Sequence, residues 1–249
     1  MLLGGSDPIK SQPTNLPPSF HRHHNLNLLA IETSGDFLSL AVSRDAAVRT
    51  LHIAAGQRHA ELILDSIDGL MAEAGIAVRD LNAIAYGAGP GSFTGLRIAC
   101  GVVQGLALAG SLKVLGVSTL LALAEESGQP RAIACINARM GEVYYAAYRR
   151  GAADWEEVHA PGLCKPDMLP LMEGDGWVGC GNGFLAHGAA LCTRLGGSLC
   201  AVRPDLAPTA AAVLRLARTS FERGEGQAPA SAVPVYLRNK VALKSSERR

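Results

Sequence analysis

Aromatic residues are scarce in this 249-residue sequence, only 5% of the total, which argues against a surface built to stack nucleic-acid bases. Net charge is nearly absent: 23 Lys and Arg oppose 22 Asp and Glu, for a formal charge of +1, so the whole surface does not grip a polyanion. Of the six cysteines, none forms a C-x-x-C pair, so a structural zinc site lacks its ligands. Most of them sit among apolar residues and act as small hydrophobes, as expected of a reduced, cytoplasmic protein. Long hydrophobic runs are missing too. The longest, residues 98–110, is broken by Gln104 and falls short of the ~20 residues of a membrane span, so no membrane association is expected.

The first 26 residues carry prolines and polar side chains without the apolar core of a secretory signal. They read as a disordered extension or a start site placed too early. Their cluster of His21, Arg22, His23 and His24 is read as a solvated tail before a metal site. Order is expected from Asn27. Strands are predicted at Leu28–Glu32, Phe37–Val42 and Ala46–Ile53, joined by tight turns, as an antiparallel meander. Apolar residues then recur at helical spacing from Arg58 to Ala74, with Gly75 as the stop. A short strand at Ala83–Tyr86, a helix at Thr94–Ala109 and a strand at Lys113–Val117 complete a β-β-β-α-β-α-β half. The second half begins alike, with strands at Ala132–Ile136, Val143–Tyr148 and Trp155–His159. Helices are expected at Asp167–Met172, Phe184–Leu195 and Thr209–Arg223. The order implies two similar lobes, each a mixed sheet with helices, and suggests a duplication.

The glycine-rich stretch Gly87–Gly95 lies between a strand and a helix, where a phosphate cradle is physically possible. Its spacing fits neither G-x-G-x-x-G nor a P-loop. A tight turn with Ser92 or Thr94 as helix cap is favoured. The helix after it is apolar almost all round, with only Thr94, Arg97 and Gln104 as a polar edge, so it needs cover on both sides. Either a partner or the second half of the same chain supplies the outer cover. His59 has no serine, cysteine or carboxylate at a spacing that demands pairing, and reads as a surface or interface histidine.

The motifs Tyr86–Arg97, Gln104–Leu108, Gly116–Thr119, Ala138–Tyr144 and Pro234–Arg238, in that order, resemble the bacterial TsaB (YeaZ) family across roughly Leu28 to Lys244. The resemblance implies an α/β fold of the actin-like ATPase (ASKHA) type with two similar lobes. They would be an N-terminal lobe at 27–118 and a C-terminal lobe with a basic tail at 119–249, the last helix packing back on the first lobe. It implies a noncatalytic subunit for threonylcarbamoyladenosine synthesis in tRNA, binding TsaD as a heterodimer. TsaE, an ATPase, would join the larger complex; tRNA would be met indirectly, and a homodimer is possible without TsaD. Family members pair through their two N-terminal helices, here implying His59, Leu62, Ile63, Ser66, Leu70, Leu96, Cys100, Val103, Gln104 and Ala107.

Two departures weaken any enzymatic reading. Actin-like ATPases use an acidic residue in each phosphate loop. This chain has Glu32-Thr33-Ser34 where the family usually has Asp, and Asn137-Ala138-Arg139 where the second Asp usually stands. Asparagine supplies no carboxylate for metal or water. Both loops (Glu32, Thr33, Ser34, Asn137, Arg139) are therefore read as vestigial. TsaD's metal-binding histidines have no counterpart in Val117–Leu121, so no metal or cofactor is carried over. The competing readings are an independent actin-like ATPase or glycoprotease-type peptidase, and direct tRNA binding by Arg238, Lys240, Lys244, Arg248 and Arg249.

Overall fold

A computed structural model describes residues 26–45 and 47–238. The histidines of the N-terminal extension, and Lys240, Lys244, Arg248 and Arg249 of the tail, lie outside the described residues.

Three strands, β1 (Leu28–Glu32), β2 (Phe37–Arg44) and β3 (Ala47–Ala54), form the expected meander, with β1 antiparallel to β2 and β2 to β3. The chain then leaves the sheet as α1 (His59–Ala74), which stops at Gly75 in the left-handed conformation. It returns as β4 (Ala83–Gly89), parallel to β1, and crosses again through α2 (Phe93–Gly110) to β5 (Lys113–Ser118), parallel to β4. The sheet order is β3-β2-β1-β4-β5. Every residue of β1 and β4 is buried, which fits central strands covered on both faces.

The second lobe repeats this plan. The strands β6 (Arg131–Arg139), β7 (Glu142–Arg150) and β8 (Trp155–Cys164) form a meander. The strands β9 (Trp177–Cys180) and β10 (Leu199–Arg203) add in parallel beyond β6, for an order of β10-β9-β6-β7-β8. The two halves are thus topologically equivalent. The helix expected at Asp167–Met172 is only a 3-10 turn over Pro166–Met168, because Pro170 lacks the amide a helix there would need.

The helices sort into three layers. On one face of the first sheet, α1 and α2 bury Ile63, Ile67, Ala99 and Val103 against Leu29, Ile31, Leu40 and Ile84. On the outer face of the second sheet, α4 (Asn182–Leu195) buries Phe184 and Leu191 against Ile133 and Cys135. Between the sheets lie α3 (Thr119–Ser127) and α5 (Ala210–Glu222). Leu120 and Leu123 of α3 pack on Ala132, Ala134 and Ala146 of the second sheet. The alanine-rich face of α5 (Ala210, Val213, Leu214, Ala217) packs on Leu28, Ala30 and Ala85 of the first. Small side chains on both surfaces permit that close approach.

Glu125 ties the middle layer to the second lobe. Its carboxylate accepts from Arg150 (2.8 Å), Trp155 Nε1 (2.8 Å) and Arg215 of α5 (2.9 Å). Burial raises its pKa, but the bonds from Trp155, Arg215 and Arg150 outweigh that and hold it below the ordinary value. Glu125→Ala strands the Trp155 indole N–H and removes an ion-pair partner from Arg150 and Arg215. Urea unfolding followed by tryptophan fluorescence is expected to show a loss of about 1–3 kcal/mol.

Candidate functional site

The loop that follows β1 and the glycine-rich turn that follows β4 emerge side by side from parallel strands. Ser92 N–H donates to the Ser34 carbonyl (2.7 Å), and the Thr33 hydroxyl donates to the Gly95 carbonyl (2.8 Å). Three glycines spaced four apart make this approach possible. A Cβ on Gly87 would overlap the Glu32 carboxyl, one on Gly91 would lie 2.6 Å from Ser34, and one on Gly95 would overlap the Thr33 carbonyl oxygen. The glycines therefore make room for loop-on-loop packing. Of the two proposed caps Ser92 is the one used, its hydroxyl accepting from Gly95 N–H at 3.2 Å.

The first loop is turned inward. Glu32, Thr33 and Ser34 are all buried. One carboxyl oxygen of Glu32 accepts from Ser34 N–H, while Oε2 has no partner. Burial pushes this carboxyl from its ordinary 4.5 to about 7, against the opposing hydrogen bonds from Ser34. The second loop is a β6–β7 hairpin whose turn residues Met140 and Gly141 both have positive φ. Asn137 is spent locally: its side chain accepts from Arg139 N–H (2.9 Å), and its own N–H donates to Asn182 Oδ1 (2.8 Å). Arg139 is exposed.

The remaining candidates fall differently from expectation. His59 is not on the surface: α1 begins by tucking it over β2, where Nε2 meets the Phe37 carbonyl at 3.1 Å. Ile63, Leu70, Leu96, Cys100, Val103 and Ala107 are likewise buried in this chain's own core, because the sheet takes that side of both helices. Leu62, Ser66 and Gln104 are half-buried. The outward faces belong to other residues: Glu61, Leu64, Asp65 and Asp68 on α1, and Arg97, Gly101, Gly105 and Leu108 on α2. A Cβ on Gly101 or Gly105 would meet nothing within 4 Å. Leu64 and Leu108 are 55% and 75% exposed, so the apolar surplus of α2 is left open on this side.

Little here resembles an activated nucleophile. Burial lifts the Cys100 thiol to about 11 and Cys180 to about 12, which keeps both protonated. Among the described residues no group of three or more His, Cys, Asp or Glu is placed to hold a metal.

Two predictions follow from the packed loops. Gly95→Ala is expected to cost about 1–3 kcal/mol through overpacking, whereas Gly101→Ala, in open space on the same helix, should gain about 0.5–1 kcal/mol; thermal unfolding of the two variants checks this. Because the folded-state pKa of Glu32 is raised, its ionisation penalises the native state as pH climbs from about 4.5 to about 7. Stability should fall by roughly 3 kcal/mol over that window, and Glu32→Gln should abolish that component, as read by denaturant titration at pH 5 and pH 8.

The comparisons with known proteins agree with this architecture. A family model described as TsaD, tRNA N6-adenosine threonylcarbamoyltransferase, matches residues 53–176. The chain is 36% identical to the tRNA threonylcarbamoyladenosine biosynthesis protein TsaB of Escherichia coli K12, over 88% of this chain and 97% of that one. It is 31% identical to TsaB of Haemophilus influenzae, with the same coverage of each. Among solved structures, YeaZ from Pseudomonas aeruginosa superposes with a TM-score of 0.78 at 36% identity, covering 85% of this chain and all of that one. Another P. aeruginosa structure, described as similar to peptidase YeaZ, gives a TM-score of 0.79 at 35% identity over 86% of this chain and all of that one. With the two-lobed fold and the packed glycine-rich turn in place, and with near-complete relatives above 30% identity, the chain belongs to the TsaB (YeaZ) family of tRNA threonylcarbamoyladenosine biosynthesis proteins.

Proposed function

We propose that this chain is a noncatalytic subunit of the tRNA threonylcarbamoyladenosine synthesis complex, which binds and activates TsaD through the outer faces of α1 and α2. TsaD would transfer the threonylcarbamoyl group to the tRNA adenosine beside the anticodon. TsaE, an ATPase, would join the larger complex, and tRNA would be met through these partners. Without TsaD, the same helical face is available to a second copy of the chain.

The observation that carries this reading is the contrast between the two sides of α2. Its N-terminal turn is packed against Thr33 and Ser34. Its outer side presents Gly101, Gly105 and Leu108 at one-turn spacing with nothing over them. Such a face admits a partner helix at close range. A peptidase or ATPase would need an accessible nucleophile or a free acidic loop, and the residues at hand are committed to packing. Direct tRNA contact by the basic tail has less support at its one described member, because Arg238 is engaged by Glu142 at 2.6 Å.

The test requires variants on the exposed face. Val103→Glu is unsuitable, since Val103 is fully buried and a charge there would disrupt the core. Gly105→Arg and Leu108→Glu should leave the melting temperature of the isolated chain close to wild type. Both should weaken co-purification with TsaD by roughly tenfold or more and depress tRNA modification in a reconstituted assay to match. Wild-type complex formation and modification by both variants would remove the docking assignment, and robust ATP or peptide turnover by the isolated chain would remove the noncatalytic one.

A further inference from the structure

The last described segment of the chain does more than end it. After α5 the backbone pairs with the edge of the first sheet, Gln227 N–H to the Val114 carbonyl at 2.9 Å and Val114 N–H back to Gln227 at 3.0 Å. It then passes along α2. Gln104 of α2 donates its side-chain amide to the Ala232 carbonyl (2.9 Å), and the Tyr86 hydroxyl donates to the Val233 carbonyl (3.3 Å). Val235 N–H donates to the Ala88 carbonyl (2.7 Å), in the glycine-rich turn itself. Gly89 has no side chain because the Val235 carbonyl oxygen would lie 2.7 Å from its Cβ. Tyr236 then packs against Phe93, ring centroids 5.6 Å apart, with the Arg97 guanidinium over both rings.

Two residues later the chain has changed lobes. Arg238 donates to Glu142 at 2.6 Å and reaches Met140 Sδ at 3.2 Å, both on the β6–β7 hairpin that carries Asn137 and Arg139. Only Tyr236 and Leu237 lie between Val235 and Arg238, so the backbone between them spans at most about 11 Å. Among the described residues no other side-chain hydrogen bond joins the loops at 32–34 and 87–95 to the hairpin at 137–142; other polar ties between lobes lie at α3 and α5, as in Gly89–Thr119, Arg215–Glu125 and Thr209–Glu126. The segment is anchored firmly at the first lobe, by backbone bonds and an aromatic pair, and held at the second by one partly exposed ion pair. That asymmetry is what a releasable fastening has.

We propose that Val233–Arg238 is a clasp between the glycine-rich turn of the first lobe and the β6–β7 hairpin of the second, with the Arg238–Glu142 pair as its latch. Latched, it sets the separation of the glycine-rich turn and the hairpin. Released, it swings with the first lobe, to which Gln104, Tyr86 and Ala88 hold it. Because Gln104 and Arg97 both lie on α2, the state of the latch is relayed to that helix and not to α4. The latch should loosen with salt, since the pair is partly open to solvent.

Hydrogen exchange read by mass spectrometry on the full chain tests this with four proteins: wild type, Arg238→Glu, Glu142→Arg and the two combined. Each single variant should speed exchange about tenfold at residues 139–145 and 236–238, with 233–235, β1 and α5 unchanged, as for a local opening. The combined variant, with the charges exchanged, should return both segments to near the wild-type rate. Unchanged exchange in both single variants would overturn the latch, as would a combined variant that stays fast. Acceleration spreading equally to β1 and α5 would also overturn it, since the pair would then be a prop for the whole fold and not a fastening between lobes.

Discussion

The structure depends on one close approach, that of the loop after β1 to the turn after β4. Backbone meets backbone there because Gly87, Gly91 and Gly95 have no Cβ, and the two short hydrogen bonds from Ser92 and Thr33 hold only at that distance. Parallel neighbouring strands bring their C-terminal ends to the same edge of the sheet, so the two loops are obliged to share one space. That space is filled by protein, and the glycines that look like a cradle are what lets it be filled.

Two consequences propagate from that contact. The first is electrostatic: a glutamate longer than the usual aspartate lies fully buried with one oxygen unpaired, and desolvation makes the neutral carboxyl compete with the charged one near neutrality. The second is mechanical. With its first turn pinned by Thr33 and Ser34, α2 has no rotational freedom, so the sheet takes Ala99, Val103 and Ala107 while Gly101, Gly105 and Leu108 are left facing out. The same helix holds the C-terminal segment through Gln104 and Arg97. The filled loop, the open face and the segment bridging to the second lobe thus share one element.

Much of the fold was legible from residue order. The meander of the first lobe, α1, β4, α2 and β5 appear within a few residues of expectation, because apolar runs, helical spacing and glycine stops are local signals. Ser92 as a cap was readable for the same reason. Other elements left weaker traces. The strands β9 and β10 are short (Trp177–Cys180 and Leu199–Arg203) and flanked by polar turns, and α3 follows β5 with no loop to announce it. The proline pair Pro166 and Pro170 reduced an expected helix to a single turn.

The side chains assigned to a partner show where sequence stops. A helix as uniformly apolar as α2 has no hydrophobic face to distinguish from a polar one, so residue types could not say whether Val103 or Leu108 pointed inward. His59 reads in the sequence as a surface or interface residue and is buried within the chain, since its environment is made by β2, a separate segment. By itself the sequence determined the family, the repeated lobe plan and the presence of Asn137 in the second loop, because these reside in residue identity and local spacing. Only the tertiary structure decided which side of α2 remains open, why the glycines are there and that Arg238 reaches Glu142, because each depends on what distant segments place within a few ångströms.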